Sequence, residues 1–318
     1  MRITAAFRSS SPSARARTVP GRRAGFALAG PPSEAQLGHS EENSVRERPT
    51  GYGDYQHLTV AIDDGVAVVT LNRPEVYNAV NHQLHVELGT IWPELDRDKA
   101  VRSIVATGAG DKAFSAGGDL SMLDKRMVLS AEERFKEIAT WEARDLVYNI
   151  VNCDKPIVAA INGVAVGAGL AVALLADISI MAEEARIGDG HVRLGVAAGD
   201  HACIVWPLLC GLAKSKLYLL TADFVDGKEA ERIGLVSKCL PRTEVLPEAL
   251  RIARQLADGP QWAIRFTKRS LNQWLRLGGI TSFDYSLALE KMGFFSADAQ
   301  EGVKAVQARR QAKFPSAQ

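Results

Sequence analysis

Hydrophobic and polar positions follow a two-residue period at the start of the patterned part of the chain. Residues 58–62 alternate, residues 63–65 read Asp-Asp-Gly, and residues 66–71 form a second apolar run. Two short runs of this kind on either side of an Asp-Gly turn are typical of a β-hairpin. We therefore predict that the ordered chain begins near Tyr55 with two antiparallel strands.

Beyond the hairpin the period changes to that of helices separated by short apolar strands. Helical spacing predicts helices over 82–97 and 131–152, and a buried helix over 167–175. Apolar runs predict strands at 103–108, 156–161 and 178–182. Strands that alternate with helices indicate an α/β fold with mostly parallel pairing. After about residue 244 only helical patterns remain.

The chain divides into three parts by composition. We predict an N-terminal extension at 1–52, an α/β core at 53–245 and a helical region at 246–318. The first 30 residues are rich in arginine and contain no acid, so they cannot bury a core, and we expect disorder there. Such a start resembles an organelle transit peptide. No continuous amphipathic helix is present, and we favour a plain tail and a cytoplasmic protein.

Charge and cysteine content exclude several functional classes. The formal net charge of +1 argues against a nucleic-acid partner, because a basic excess would be expected. The four cysteines form no CxxC pair, so neither a zinc site nor a redox motif is predicted, and a reducing compartment is the simplest reading. No window holds the roughly 18 apolar residues of a membrane helix. The prediction is a protein without metal, membrane or nucleic-acid partners.

Two glycine loops are the candidate sites of chemistry. Residues 114–120 read Phe-Ser-Ala-Gly-Gly-Asp-Leu and residues 162–169 read Asn-Gly-Val-Ala-Val-Gly-Ala-Gly, each after a predicted strand. Small residues let a ligand approach the backbone, and the second loop opens a helix whose first N–H groups are unpaired. Two such N–H groups can converge on one oxygen and stabilise developing negative charge. The alternative is tight strand–helix packing without a ligand.

These loops belong to a series of five motifs that resembles a known family. The motifs are Asn-Arg-Pro-Glu with Asn-Ala at 72–79, the first glycine loop, the Lys-Pro…Asp block at 155–177, the block at 219–237 and the Asp-Ala-Gln-Glu-Gly signature that runs from 298 to 314. In this order and spacing they are similar to the crotonase (enoyl-CoA hydratase/isomerase) superfamily. The resemblance covers about residues 55–315, and five motifs together are far more specific than one glycine pattern.

The resemblance implies a fold, a ligand and an assembly. The fold is a spiral of ββα repeats, with a C-terminal helical region that supports homotrimers or dimers of trimers. The ligand is an acyl-CoA, with no cofactor besides the CoA of the substrate. The thioester oxygen is expected to accept the backbone N–H groups of Gly118 and Ala168. Further substrate or CoA contacts are expected at Ala79, Ala116, Gly117, Asp119, Gly167, Phe295, Arg309 and Arg310.

The chain departs from the resemblance at the two glutamates that hold water in hydratases. Ala171 and His191 stand at those positions. Asp200 follows shortly after His191 across a predicted turn, so the two side chains can meet, and a histidine held by an aspartate is a competent base. His85 on the first helix is a third catalytic candidate. Each has a structural alternative: a turn histidine, a helix N-cap and a half-buried helix residue.

Three functions remain open from the sequence. The first is an enoyl-CoA hydratase/isomerase-like enzyme that stabilises an enolate and uses a His–Asp pair for water chemistry. The second is a CoA-independent hydrolase that cleaves a carbon–carbon bond in a cyclic β-diketone, because the His–Asp pair resembles the 6-oxocamphor hydrolase branch. The third is a catalytically silent binding subunit. The sequence does not reveal which acyl group or diketone is bound.

Overall fold

A computed structural model describes residues 51–119, 129–138 and 142–318 of the chain. The predicted extension lies outside the described residues up to position 50, and so do Leu120 and the segment that follows it to 128.

Ten strands form two sheets in the described chain. In chain order they are β1 Leu58–Asp63, β2 Val66–Leu71, β3 Ser103–Gly108, β4 Ala113–Ser115, β5 Ile157–Ile161, β6 Val164–Val166, β7 Ile178–Ala182, β8 Arg186–Gly188, β9 Val225–Asp226 and β10 Lys238–Leu240. The larger sheet has the order β1-β2-β3-β5-β7-β10. Its first pair is the predicted hairpin, with Leu58 opposite Leu71, and every later pair is parallel.

The smaller sheet positions the two glycine loops. Its order is β4-β6-β8-β9, and the pairs β4–β6 and β6–β8 are parallel. The carboxyl ends of parallel strands meet at one edge, which is where α/β folds bind ligands. The residues that follow β4, β6 and β8 are the first glycine loop, the start of the buried helix and the turn that carries His191. This edge therefore gathers three separate parts of the sequence.

Helices cover the sheets and make up the C-terminal region. They are α1 His82–Arg97, α2 Ala131–Ile138, α3 Glu142–Asn152, α4 Gly167–Leu175, α5 His201–Thr221, α6 Gly227–Arg232, α7 Arg242–Ala257, α8 Gln261–Leu275, α9 Thr281–Gly293 and α10 Ala297–Gln307, with a π-helical turn at Arg276–Ile280. The sequence predicted one helix over 131–152; the described residues form α2 and α3 within that range, and residues 139–141 lie outside the described part.

The core lies between the larger sheet and the helices packed on it. The predicted apolar face of α1 is buried through Leu84, Leu88, Ile91 and Leu95, as its helical spacing requires. Strands β3 and β5 are buried along their whole length, which explains their continuous apolar runs. This rigid layer fixes the smaller sheet and the loops that follow its strands.

Helix α5 corrects one expectation about apolar segments. By length and composition it is apolar enough to cross a membrane, with a mean hydropathy of 1.4. Gly211 interrupts it with φ 76° and ψ 159°, values that no α-helix contains. Before that break, Ile204, Val205 and Trp206 are buried in the core. The segment is thus two helical stretches, 201–210 and 212–221, of which the first contributes side chains to the core.

Candidate active site

A cavity of about 170 Å³ lies at the carboxyl ends of β4, β6 and β8. The first glycine loop, the start of α4, the turn after β8, α1, α3 and α9 all contribute to its wall. The side chains and backbone that line it belong to Val80, His85, Gly118, Asp119, Glu142, Ala143, Leu146, Val147, Gly167, Ala168, Ala171, His191, Leu194, Asp200, His201, Leu287, Glu290, Lys291 and Phe294. The lining combines apolar side chains with histidines and carboxylates.

The two glycine loops touch each other at the edge of this cavity. A side chain on Gly117, which has φ 83°, would place its Cβ 3.1 Å from the carbonyl oxygen of Val166. A Cβ on Gly167 would lie 3.7 Å from the nitrogen of Gly118. The close approach of the two backbones therefore favours glycine at position 117, and the positive φ of Gly167 (51°) favours glycine there.

The N–H groups of Gly118 and Ala168 are left for a ligand. Val80 donates to Gly117 (2.7 Å) and accepts from Asp119 (3.0 Å), which leaves Gly118 between the two bonds with no acceptor among the described residues. Ala168 lies in the first turn of α4, where N–H groups have no intrahelical partner. The N-cap residue Val166 has no side-chain acceptor to offer. Both groups border the same cavity.

His191 is held by a carboxylate that sequence reasoning missed. Its Nδ1 lies 2.9 and 3.0 Å from the two carboxylate oxygens of Asp189, and its backbone N–H donates to Asp189 at 3.0 Å. Asp200, the partner expected from the sequence, has a carboxylate oxygen within 4.8 Å of a His191 ring nitrogen, but the hydrogen bonds of the ring go to Asp189. The Asp189 side chain is fully buried, and His191 is 13 % exposed. The backbone bond spans two residues, so an Asx turn could have been predicted from the Gly-Asp-Gly-His run.

Glu290 faces the other nitrogen of the same imidazole. Its Oε1 lies 3.6 Å from Nε2 of His191, and its side chain is 10 % exposed. Glu290 comes from α9 in the C-terminal region, and no local pattern in the sequence connects it with His191. Burial alone would lower the pKa of His191. The surrounding carboxylates, led by Asp189, outweigh burial and hold that pKa well above its usual range.

Asp200 sits next to this pair but binds other groups. It caps α5 by accepting from the N–H of Ala202 (3.2 Å), and its Oδ1 lies 2.9 Å from Nδ1 of the buried His201. Burial would raise the pKa of the Asp200 carboxyl, but His201 and then His191 hold it well below its usual range. Asp200 therefore serves both the N-cap that was weighed as its alternative role and the electrostatics of the cavity. A catalytic contact remains a prediction.

The remaining predicted residues fall into two groups. His85, Asp119 and Gly167 line the cavity. The loop residues Ala79 and Ala116 fix the first glycine loop instead, through bonds with the Arg73 side chain and, at 2.9 Å, the Tyr77 carbonyl.

The C-terminal candidates lie away from the cavity wall. The guanidinium of Arg134 lies 5.2 Å from the ring centroid of Phe295. Arg310 is paired with Glu301 at 2.6 and 2.9 Å, and Arg309 is exposed with φ 51°. Their contact with CoA stays a prediction.

Asp189, His191 and Asp200 also offer the donor set for a cation within the described residues, since their donor atoms lie within 4.8 Å of one another. The Nδ1–carboxylate distances of 2.9 and 3.0 Å are ordinary hydrogen-bond lengths. The hydrogen bond between the His191 ring and the Asp189 carboxylate already pairs two of these three side chains. We interpret it as an acid–base cluster.

An α/β fold whose glycine loops present N–H groups opposite a buried acid–base cluster is typical of enzymes that act on a carbonyl compound. The profile of the enoyl-CoA hydratase/isomerase family matches residues 61–317. The chain belongs to this family, within the crotonase superfamily, which confirms the resemblance and the α/β fold with C-terminal helices.

Individual relatives agree along nearly their whole length. Crotonyl-CoA hydratase from Syntrophomonas wolfei is 32% identical over 267 residues, which is 82% of this chain and 99% of that protein. Short-chain-enoyl-CoA hydratase from Clostridium acetobutylicum is 33% identical over 239 residues, 74% of this chain and 88% of that protein. An enoyl-CoA hydratase/isomerase structure from Mycobacterium paratuberculosis superposes with a TM-score of 0.73 at 37% identity and covers 78% of this chain and 97% of that one.

Proposed function

We propose that the chain catalyses water chemistry on an acyl-CoA, as an enoyl-CoA hydratase/isomerase-like enzyme that uses a histidine–carboxylate cluster where hydratases use two glutamates. One observation carries this proposal. The N–H groups of Gly118 and Ala168 and the cluster around His191 border a single cavity. The thioester oxygen accepts both N–H groups, which stabilise the negative charge that forms on it.

In the proposed reaction, Glu290 acts as the base and His191 acts as the acid. For an enoyl thioester, a water oxygen bonds to the β-carbon while the carboxylate of Glu290 takes the water proton. The electron pair of the double bond moves to the thioester oxygen and forms the enolate. His191 carries a proton at neutral pH because its pKa is raised, and it donates that proton to the α-carbon. Electron pairs and protons balance, and no cofactor besides the CoA of the substrate takes part.

The wall around Ala171 makes room for this arrangement. Ala171 is buried and borders the cavity at the position where the family resemblance places a hydratase glutamate. With no carboxylate there, the proposed acid and base are the groups around His191. This observation also supports a second candidate function, the CoA-independent hydrolysis of a cyclic β-diketone. There, water adds to one carbonyl and the leaving carbon becomes the enolate held by the two N–H groups.

Turnover and binding separate these candidates. We expect the purified full chain to bind CoA and acetyl-CoA in calorimetric titration and to hydrate crotonyl-CoA. His191→Gln should abolish turnover, and His82→Gln is the matched control because that histidine lies on α1 with its side chain 66% exposed. Hydrolysis of cyclic 1,3-diketones without any CoA binding would replace the first proposal by the second. Equal turnover in both variants would refute both, and no turnover on either substrate class would favour a silent subunit.

The C-terminal helices support a further part of the proposal, a homotrimer or a dimer of trimers. Large apolar side chains are exposed there, including Trp262, Phe266, Trp274 and Leu277, of which Trp262 is 72% exposed. Exposed apolar surface of this extent marks an interaction site. Sedimentation velocity should give a trimer or hexamer, and Trp274→Glu should weaken it. A monomeric wild-type protein would contradict this assembly.

A further inference from the structure

Asp189 differs from the carboxylates that border the cavity because its side-chain hydrogen bonds in the described part of the chain go to a single residue, His191. Its side chain is fully buried. The side-chain bonds it makes within the described residues, to Nδ1 and to the backbone N–H, all go to His191. An unpaired buried carboxylate is costly, so the His191 imidazole stabilises the buried charge of Asp189.

The two ring nitrogens therefore have different surroundings. Nδ1 faces the buried Asp189, which no ligand can reach without displacing the turn. Nε2 faces Glu290 at 3.6 Å, across a part of the cavity wall that also includes Phe294, whose ring centroid lies 6.4 Å from that of His191. Glu290 and Phe294 border the cavity and Asp189 is not among the described residues that line it, so Nε2 is the nitrogen on the cavity side.

We propose that Asp189 is a positioning residue, which holds the imidazole through Nδ1 so that Nε2 is the atom that exchanges a proton with the substrate. This inference rests on the proposed function for its chemical meaning, but its geometry stands without it. In the reaction, the Nε2–H bond breaks, the proton forms a C–H bond at the α-carbon, and the electron pair stays on Nε2. The proton that Glu290 took from water then returns to Nε2 across the short gap and restores both groups.

Other charged groups also face the ring and enter the argument. Asp200 approaches from the start of α5, but it is shared with His201. His85 on α1, Glu142 on α3 and Lys291 on α9 border the cavity farther around its wall. Asp189 hydrogen-bonds directly to the ring at Nδ1, which is why its removal should have the largest effect on protonation.

The experiment is ¹⁵N NMR of the full chain labelled at histidine, titrated from pH 5 to pH 10. The wild-type His191 should titrate well above the other histidines. Its neutral form should be the Nδ1–H tautomer, because Asp189 accepts from that nitrogen. In Asp189→Asn the midpoint should fall by about one pH unit or more, as expected when an opposite charge at this distance is removed. In Asp200→Asn the fall should be smaller, because that charge is shared.

Three outcomes would overturn the inference: a neutral Nε2–H tautomer in the wild type, an unchanged midpoint in Asp189→Asn, or equal shifts in both variants. The wild-type tautomer decides the matter even where Asp189→Asn does not fold. Kinetics with crotonyl-CoA add a separate readout, in which Asp189→Asn should lower kcat and move the alkaline limb of its pH profile to lower pH with little change in KM. The expected tautomer without crotonyl-CoA turnover would leave the positioning role intact and count against the proposed function.

Discussion

Removing His191 should destabilise the fold through the carboxylate it leaves behind. In His191→Ala the Asp189 carboxylate loses its two contacts with Nδ1 and keeps only the backbone N–H at 3.0 Å. Breaking a buried pair by deleting one partner typically costs about 3–5 kcal/mol. Because the backbone bond survives, we expect a value near the lower end, about 3 kcal/mol.

A double-mutant cycle isolates this cost from the loss of packing. The variants are His191→Ala, Asp189→Ala and the combination of both, unfolded in urea at pH 6 and at one fixed protomer concentration, since oligomers unfold in a concentration-dependent way. The double variant should be more stable than the sum of the single costs implies, by about 1–3 kcal/mol. Strictly additive costs, or a His191→Ala variant that unfolds at the wild-type midpoint, would refute the pairing described above.

Four further outcomes follow from the same structure. The pKa of His191 is raised in the folded protein, so this histidine stabilises the fold at low pH and loses that effect as the pH rises through the folded-state pKa. The difference in unfolding free energy between wild type and His191→Gln should therefore shrink from pH 6 to pH 9. A difference that widens over this range would contradict the raised pKa. Ala168→Pro removes one N–H at a helix start and should lower kcat about 10²–10³-fold, whereas Ala168→Gly keeps the N–H and serves as the control. Asp200→Ala should cost about 0.5–2 kcal/mol by loss of the α5 cap, while Asp200→Asn retains it, as thermal unfolding would show. Gly302→Ala would bring a Cβ to 2.4 Å from the backbone of Leu194 and should cost about 1–3 kcal/mol in urea unfolding, with reduced turnover because that turn adjoins His191.

The parts of the fold that follow local rules could be predicted from the sequence. The hairpin at Leu58–Leu71 could be predicted from the alternation of apolar and polar residues and from the Asp-Gly turn. The α1 helix could be predicted from the helical spacing of its apolar residues. The glycine loops could be identified as runs of small residues after predicted strands, and the structure brings their backbones together at Gly117 and Val166.

The site was only partly predictable, for a different reason. His191 and Asp200 do reach one cavity, but the closeness of their side chains was inferred from sequence distance, which does not say which carboxylate faces the ring. Asp189 follows from the local Gly-Asp-Gly-His turn pattern, whereas the expectation from the sequence placed the partner of His191 across the turn at Asp200. Glu290 was beyond such reasoning, since only the packing of α9 against the rest of the cavity brings it near Nε2.

The origin of Glu290 has a consequence for how the protein matures. The turn that carries His191 and Asp189 is synthesised well before α9, so a growing chain holds the histidine with fewer carboxylates around it. Only when α9 packs against the cavity does the imidazole gain the acidic neighbour on its Nε2 side. This carboxylate is thus supplied late in synthesis, and a chain truncated before Thr281 would keep both glycine loops while lacking the residue assigned to take the proton from water.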